Sequence, residues 1–471
     1  MSCLVAMVLA CGVLAGCVFD RSGLAPQNTN PHTDQRADQA GFDGPRLDRD
    51  RVDGHPDGHA DAEPAPPDVA PDQPLGPCHG LTCPLGCNTL VNPSRCNRVK
   101  PTGYAVAAFH DQLTAPITAS TGITINTDNG SIHAGTTVIR PANQQGQVLN
   151  GIYWGVDAPG SGYPEVSMFG ATRLDVPPGV TLTVVGTHAL SIYAVQGISI
   201  TGTLQSRASG QSAGPGGFGG GAGNGGDGAS CLGGEGKGGK SNNQVESGGG
   251  GGGGGAAGGA GSIGKYGMTT VSGGAGGPAV GTTSLWLLLG GCGGGGGGGP
   301  DWGQGGHGGG GGGALQLVAG GAIIISGTIT VAGAGGEGAH NGSGGGGAGA
   351  GGSVLVEGIS IAITGTGIVA ANGGGGGSGG ADISTNTSPA GEDGLSSTTA
   401  AKGGPTHPTY GGAGGAGGAL ALASGSTSSD VESNGGGGGG AAGRVRLNAP
   451  AITINATSTS PAPAKGTVSV W

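Results

Sequence analysis

Large side chains are scarce in this chain of 471 residues, of which aromatic residues make up 3% and charged residues 10%. This scarcity excludes a core built on aromatic packing. Basic residues are also few, with 18 Lys and Arg against 28 Asp and Glu and a formal charge of −10. That balance argues against nucleic acid binding. The apolar stretch at residues 4–16 is too short to cross a bilayer as a helix, which takes about 20 residues.

Glycine is abundant instead, with 120 residues, whereas an average globular domain contains about 7%. Glycine has no side chain to bury and loses the most entropy on ordering. The apolar core must therefore come from short strands of Val, Ile and Leu.

The stretch from Ala314 to Val331 shows where that core lies. One parity holds Leu315, Leu317, Ile323, Ile325, Ile329 and Val331, and the other holds Gln316, Ser326, Thr328 and Thr330. This period of two predicts strands with one buried face. Glycine pairs and Ser-Gly divide it into three short strands. The same alternation recurs on both sides of the turns Thr201-Gly202-Thr203 and Thr364-Gly365-Thr366. It also recurs before the turn Asn455-Ala456-Thr457.

One such unit cannot bury its apolar face alone, whereas stacked copies can. We therefore predict an all-β fold, a parallel β-helix or β-solenoid, over residues 101–471. Leu204, Ile329, Val331 and Ile368 share the apolar parity. The main predicted core residues are Leu190, Ile192, Ile198, Ile200, Leu315, Leu317, Ile323, Ile325, Val354, Val356, Ile361, Ile363, Val445, Leu447, Ile452 and Ile454.

Glycine-rich segments interrupt the predicted solenoid after its third strands, at residues 208–313, 332–352 and 371–443. Because insertions at equivalent repeat positions emerge on one face, we expect them on one side of the solenoid. Runs such as Gly308–Gly313 and Gly435–Gly440 can pack as polyglycine II helices, with three residues per turn. The alternative is that these segments are disordered.

Four aromatic residues cluster early in this region: Tyr153, Trp154, Tyr163 and Phe169. We predict a cap over the end of the stack, because an exposed strand edge must be covered. A sugar-stacking platform is the alternative.

Residues 1–17 have the features of an export signal, since residues 4–16 suit a signal-peptide core. Leu14-Ala15-Gly16-Cys17 resembles the lipobox of bacterial lipoproteins, although no Lys or Arg precedes the apolar core. The resemblance implies that cleavage leaves Cys17 first, with a diacylglycerol on its thiol. Val18, in place of Asp, implies transfer to the outer membrane. A signal peptide without lipidation is the alternative.

Residues 18–77 are rich in Asp, Pro, Arg, Gln and Gly and are predicted to be a disordered tether, because they cannot bury enough surface to offset their ordering entropy. Asp48–Gly54 lacks the spacing and the final Glu of a calcium loop. His32, His55 and His59 are assigned to the tether as well. We predict no metal site.

Nine cysteines are present; Cys3 and Cys11 would leave with the signal peptide, and Cys17 would take lipid. An exported chain would use the other six in disulfides. Four of them predict a small disulfide-rich segment at residues 78–100, with its pairing open and a zinc site as the alternative. The disulfide candidates are Cys78, Cys83, Cys87, Cys96, Cys231 and Cys292.

The Asp/Pro-rich linker, the cysteine segment with Gly86-Cys87-Asn88-Thr89 and the glycine-rich body together resemble the glycine-rich, PGRS-like surface lipoproteins of myxobacteria and their relatives. The resemblance covers nearly the whole chain. It is one of architecture more than of motif. It implies a place at the cell surface and supplies no reaction.

The sequence contains only weak motifs for nucleotide binding, catalysis or surface binding. Gly234–Ser241 matches the P-loop pattern, but no buried strand precedes it and polyglycine follows, so we predict no nucleotide and no cofactor. Polysaccharide cleavage needs clustered carboxylates, whereas only isolated charges occur in the units: Asp175, Glu357, Arg444 and Arg446. A hydroxyl ladder for ice or mineral binding would use Thr201, Thr203, Thr328, Thr364, Thr366 and Thr457.

The sequence thus predicts an exported, lipid-anchored protein of the outer membrane or cell surface, with a structural or adhesive role and no catalytic activity. Its expected partners are the membrane, through the lipid, and extracellular polysaccharide or other surface proteins. The main alternative is a β-helix protein that binds or cleaves polysaccharide. Ice or mineral binding is a more remote one.

Overall fold

The computed structural model describes Cys78 and residues 82–91, 93–104, 108–242, 244–300, 304–380, 387–406, 411–430 and 433–471. Cys17, the predicted signal peptide and the predicted tether with its three histidines lie outside the described residues. Within them the protein is all-β, with no α-helix and a single 3-10 turn at His110–Gln112. No helical stretch of this part of the chain has the length and hydrophobicity that a bilayer crossing requires.

The strands of the described residues are short, mostly three to six residues. In chain order they are β1 (Cys87–Asn88), β2 (Arg95–Cys96), β3 (Val99–Lys100), β4 (Ile123–Asn126), β5 (Ile132–Ala134), β6 (Thr137–Arg140), β7 (Gln147–Leu149), β8 (Ile152–Asp157), β9 (Val166–Ala171), β10 (Leu174–Val176), β11 (Thr181–Val185), β12 (Ala189–Ala194), β13 (Ile198–Ile200), β14 (Thr203–Gln205), β15 (Gly264–Tyr266), β16 (Thr269–Val271), β17 (Ala314–Ala319), β18 (Ala322–Ile325), β19 (Thr328–Thr330), β20 (Ser353–Glu357), β21 (Ser360–Ile363), β22 (Ile368–Ala370), β23 (Arg444–Asn448), β24 (Ala451–Thr453), β25 (Thr459–Ser460), β26 (Ala464–Gly466) and β27 (Ser469–Val470).

Most of these strands belong to three sheets. The first sheet has the order β26-β23-β20-β17-β12-β9-β8-β7, the second β10-β13-β18-β21-β24, and the third β25-β22-β19-β14-β11-β4-β5-β6. Five strand triplets, β9–β11, β12–β14, β17–β19, β20–β22 and β23–β25, each give one strand to each sheet. Strands of neighbouring triplets pair in parallel. The prediction of an all-β fold with parallel units is confirmed, and β9–β11 is a further unit.

The aliphatic residues of successive triplets are stacked in register. Ile200, Ile325 and Ile363 are direct neighbours across the second sheet, and one buried cluster joins the inner faces of all three sheets. All but two of the predicted core residues are buried in this cluster; Ile452 and Ile454, on the last triplet, are partly buried against it. Since burying one such side chain contributes about 1.5–3 kcal/mol, this cluster is the main source of stability in the sheets.

Ile368 does not face the core, so that prediction is wrong. Its neighbour Val369 is fully buried and pairs in register with Ile329, while Ile368 lies on the outer face of β22. The cause is the connection between β20 and β21, which is one residue shorter between paired core residues than the connection between β17 and β18. This single residue changes the inward positions from even numbers in β20 to odd numbers in β21 and β22.

The described parts of the three glycine-rich segments are ordered, and we call them the glycine bundle. Gly344–Gly352 shows the pattern, because each third N–H donates to the same neighbouring segment at 2.8–2.9 Å. Residues 344, 347 and 350 donate to the carbonyls of Gly298, Gly295 and Cys292; residues 345, 348 and 351 to Gly435, Gly438 and Ala441; residues 346, 349 and 352 to Glu337, Ala334 and Val331. This three-residue period matches that of polyglycine II. All three glycine-rich segments supply partners, so they pack together.

The six candidate cysteines form three disulfides, Cys78–Cys87, Cys83–Cys96 and Cys231–Cys292. The first two cross-link the segment around the β1–β2 hairpin, where the sequence left the pairing open. The third lies within the glycine bundle. No thiolate of these six is left to bind zinc.

Antiparallel strands cover one end of the parallel stack. Strands β7 and β8 extend the first sheet beyond β9, and β5 and β6 extend the third beyond β4. Trp154 and Phe169 are buried in the main cluster there, and Tyr153 stacks on Phe109 with ring centroids 3.7 Å apart. Tyr163 is only half-buried. These positions agree with the predicted aromatic cap.

A buried arginine completes this end. Arg140 is fully buried, and its Nη1 donates to the carbonyls of Gly130 at 2.8 Å and Pro141 at 2.9 Å. Its guanidinium lies 5.4 Å from the centre of the Trp154 ring. Burial lowers the pKa of Arg140 to about 10, so the group remains charged at neutral pH. Backbone carbonyls and the ring face thus take the place of water around this cation.

The last residues return to the disulfide-rich segment. Strand β27 pairs antiparallel with β3, and the Trp471 indole N–H donates to the Val99 carbonyl at 3.1 Å. The guanidinium groups of Arg95 and Arg98 lie over the Trp471 ring at 5.4 and 5.3 Å. The predicted segment 78–100 therefore packs on the glycine-rich body rather than standing apart from it.

Candidate functional site

The outer face of the first sheet is covered on β9, β12, β17 and β20, and this part of it is not a free surface. A second buried cluster joins it to the segment around Tyr104, Phe109 and Leu113, and to Leu285 and Leu288 of the glycine bundle. The residues of the sheet in this cluster are Val166, Met168, Ala189, Tyr193, Ala314, Val318 and Leu355. Burial raises the pKa of the Tyr193 hydroxyl to about 12 and lowers the pKa of His110, so these shifts reflect packing.

Glu357 fastens that cover to the sheet. It is fully buried, and its two carboxylate oxygens accept four hydrogen bonds. Oε2 accepts from the Thr102 backbone N–H at 2.9 Å and Gln316 Nε2 at 2.8 Å, and Oε1 from the Thr102 hydroxyl at 2.6 Å and Asn448 Nδ2 at 3.0 Å. No cation pairs with it among the described residues. The isolated Glu357 of the sequence is therefore a structural clamp.

We expect Glu357→Gln to lower the free energy of unfolding by about 1–3 kcal/mol, because the new amide nitrogen would face two donors and leave them buried without an acceptor. The loss should appear as a lower urea midpoint. The matched control is Glu165→Gln, since the Glu165 side chain is 52% exposed and pairs with His188 at the surface. Equal midpoints for the two variants would contradict the clamp.

The outer face of the second sheet is open and consists of small side chains in register. Arg173 and Asp175 form an ion pair of 2.8 Å at one end, and Ile324 in the middle is 46% exposed. The row across the five strands is Asp175, Ser199, Ile324, Ala362 and Thr453. This face offers a flat area with few charges.

The outer face of the third sheet carries a short hydroxyl row. Thr181, Thr203 and Thr328 are register neighbours and half-buried, and the row ends at Ile368. Of the predicted ladder residues only Thr203 and Thr328 belong to it. Thr201 lies at a turn and donates to the Val176 carbonyl; Thr364, Thr366 and Thr457 are exposed outside the strands. Ice or mineral binding stays a prediction, and this row is the part of the surface that would make the contact.

Carboxylates do not converge on any of these faces. Asp175 lies on the second sheet and Glu357 is buried under the cover of the first. Arg444 and Arg446 lie on β23, the strand next to the edge strand β26 of the first sheet. The paired acid and base that polysaccharide cleavage needs are not brought together at the predicted positions.

One group of titratable side chains with two histidines lies on the glycine bundle. His307 Nε2 is 3.9 Å and His340 Nε2 is 3.3 Å from the two Glu337 oxygens. The His307 Nδ1 accepts the Gly223 N–H at 2.9 Å, so the neutral ring carries its proton on Nε2 and has no lone pair there for a metal. No group of His, Cys, Asp and Glu with metal-binding geometry occurs among the described residues.

The P-loop-like stretch is part of the glycine bundle. Lys237 pairs with Asp227 at 3.2 Å and Glu235 at 2.9 Å, and the Gly236 N–H donates to the Gly293 carbonyl. No strand directly precedes and no helix directly follows this stretch among the described residues. Lys240 holds the position of the P-loop lysine, and its backbone N–H donates to Ser247 Oγ at 2.7 Å. The backbone N–H groups that a P-loop turns towards phosphate are thus used inside the bundle.

A basic cleft remains that sequence reasoning missed. It lies between the loop around Thr283, strand β23 and the chain at Pro461–Ala464, with Arg444 in its wall and a volume of about 170 Å³. The only sequence signal was Arg444-Val445-Arg446, two cations on one side of a strand.

No family model, no curated protein and no solved structure matches this chain.

Proposed function

We propose that this chain is an exported, lipid-anchored structural or adhesive protein of the cell surface, and that its body is a parallel β-solenoid beside a bundle of polyglycine II helices. The solenoid proposal is supported by five triplets that pair in parallel in three sheets around one core. The polyglycine proposal is supported by the three-residue period of the hydrogen bonds. The three disulfides fit an oxidising compartment outside the cytosol.

One observation carries the adhesive role: the open outer face of the second sheet. Its five strands align small side chains around the exposed Ile324, on a scaffold whose interior is held by dense backbone hydrogen bonding. A flat face with few charges suits contact with another extended surface, because little desolvation of charge is required.

The adhesive role can be tested with Ile324→Glu in a bacterial host that displays the full chain. We expect this charge to reduce adhesion of the cells to polysaccharide-coated or cell-coated surfaces at least several-fold, because it must be desolvated at the contact. The control is Val138→Glu on β6, since Val138 is 47% exposed and Ile324 is 46% exposed. Equal adhesion by both variants and the unchanged protein would refute the role of this face.

The anchor is tested separately with Cys17→Ser. A clickable fatty acid fed to the host should label the unchanged chain, which should sediment with membranes, because several acyl chains anchor a protein stably. The Cys17→Ser chain should carry no label and leave the membrane fraction. Labelling that persists in Cys17→Ser would contradict lipidation at this residue.

A further inference from the structure

We propose that the cleft beside Arg444 binds an oxyanion, the group that the carboxylate of a uronic acid and the sulfate of a sulfated sugar share. The subsite goes beyond the structural or adhesive role and does not depend on it, whereas the multivalent binding argued below rests on the proposed display at a surface. It adds a defined subsite for an acidic glycan to a protein whose other open faces carry few charges.

Arg444 is held with part of its guanidinium left unused. Its Nη2 donates to the carbonyls of Val280 at 3.0 Å and Gly281 at 3.3 Å. Its Nε and Nη1 have no hydrogen-bond partner among the described residues. Backbone carbonyls thus fix the direction of the side chain without neutralising it, and burial lowers the pKa of Arg444. A pre-oriented planar cation with free donors is suited to a carboxylate or sulfate.

Arg446 adds a second positive charge. It is two residues further along β23, so both side chains start from the same face of the strand, about 7 Å apart. Its Nη1 donates to the Thr283 carbonyl at 3.0 Å, and its Nε is buried without a partner. Neither arginine forms an ion pair with any residue that the structure describes. In a chain with a net charge of −10, two unpaired arginines side by side indicate an external anion.

The lining of the cleft leaves room for such an anion. Around Arg444 it consists of small or uncharged side chains, among them Thr283, Ala423, Pro461, Ala462 and Ala464. No carboxylate lines it, so no negative side chain would repel an anion there. Its volume of about 170 Å³ is below the roughly 300–1,000 Å³ of pockets for drug-sized ligands. The cleft therefore fits one anionic sugar unit rather than a large cofactor.

Single contacts of this kind are weak in an open cleft, and we expect a dissociation constant on the order of 1 mM for one glucuronate. A polymer with many anionic units, bound by many copies of the protein on one surface, would be held far more tightly through multivalency. The relevant ligand class is therefore an acidic polysaccharide.

The test uses the full chain immobilised at high density, with polygalacturonate, dextran sulfate and neutral dextran as probes. We expect one or both acidic polymers to bind and neutral dextran not to bind, with the preferred polymer showing whether carboxylate or sulfate is favoured. Arg444→Gln should weaken binding at least fivefold. Arg173→Gln is the matched control, since it removes an arginine that directly precedes β10, away from the cleft, and should leave binding unchanged.

A second measurement needs no variant. Phenylglyoxal modification of the unchanged protein, followed by mass spectrometry, should show that glucuronate or sulfate slows reaction at Arg444 several-fold but not at Arg173. This readout still applies if Arg444→Gln melts at a lower temperature. Three results would each overturn the proposal: failure of the unchanged protein to bind either acidic polymer, equal binding by a folded Arg444→Gln chain, or equal modification rates with and without anion.

Discussion

Gly347→Ala should lower the free energy of unfolding by about 3 kcal/mol, at the upper end of what overpacking costs. A Cβ atom at Gly347 would lie 2.1 Å from the Gly250 carbonyl oxygen. That carbonyl cannot move away easily, because it accepts the Gly295 N–H at 2.8 Å. The clash is with backbone and not with the end of a flexible side chain, so several segments would have to separate together.

Gly219→Ala is the matched control, because it lies in the same kind of segment and the nearest atom to its added Cβ is 3.5 Å away. Alanine as such is compatible with the bundle, since Ala348 directly follows Gly347 and is fully buried. Thermal melting and urea unfolding of both variants would measure the difference. If Gly347→Ala were as stable as Gly219→Ala, close backbone approach would not explain the glycine content.

Removal of the Cys231–Cys292 disulfide should have an effect of similar or larger size. Its cysteines are 61 residues apart in sequence, and the chain-entropy relation gives roughly 4 kcal/mol for a loop of that length. The loop between them is rich in glycine, which loses the most backbone freedom on ordering. We therefore expect Cys231→Ala with Cys292→Ala to lose about 4 kcal/mol of stability, measured by urea unfolding.

The control is the pair Cys78→Ala with Cys87→Ala, whose cysteines are 9 residues apart and whose loop is worth roughly 3 kcal/mol in the same relation. Protease digestion should separate the two cases further. Loss of the long bridge should expose residues 232–291, whereas loss of the short one should affect the segment near β1. A smaller loss for the long bridge than for the short one would show that the glycine bundle does not depend on this cross-link.

The sheets were the most predictable part of the molecule. A period of two in Ala314–Val331 reports directly which residues share a face, and the structure places Leu315, Leu317, Ile323 and Ile325 in one buried cluster. Ile368 was misplaced because the inward parity changes between β20 and β21, whose connection is one residue shorter between paired residues than that between β17 and β18. The change becomes visible only when these strands pair with their neighbours.

The candidate sites were much less predictable. Glu357 and Arg444 both looked like isolated charges on short strands, yet one is a clamp with four donors and the other lies in an open cleft. The difference comes from Thr102, 255 residues before Glu357, and from the loop at Val280, 164 residues before Arg444. No local pattern indicates such distant partners.

The sequence by itself determined the strand faces, the stacking of three-strand units and the three-residue period available to the glycine runs, because these follow from local backbone geometry. Only the tertiary structure decided that the glycine runs are ordered, which cysteines pair and which charges are exposed. The physical reason is that a polyglycine II segment makes no hydrogen bonds within itself. Its order therefore depends on partners such as Gly295, Gly435 and Glu337 around Gly344–Gly352, which only folding brings into place.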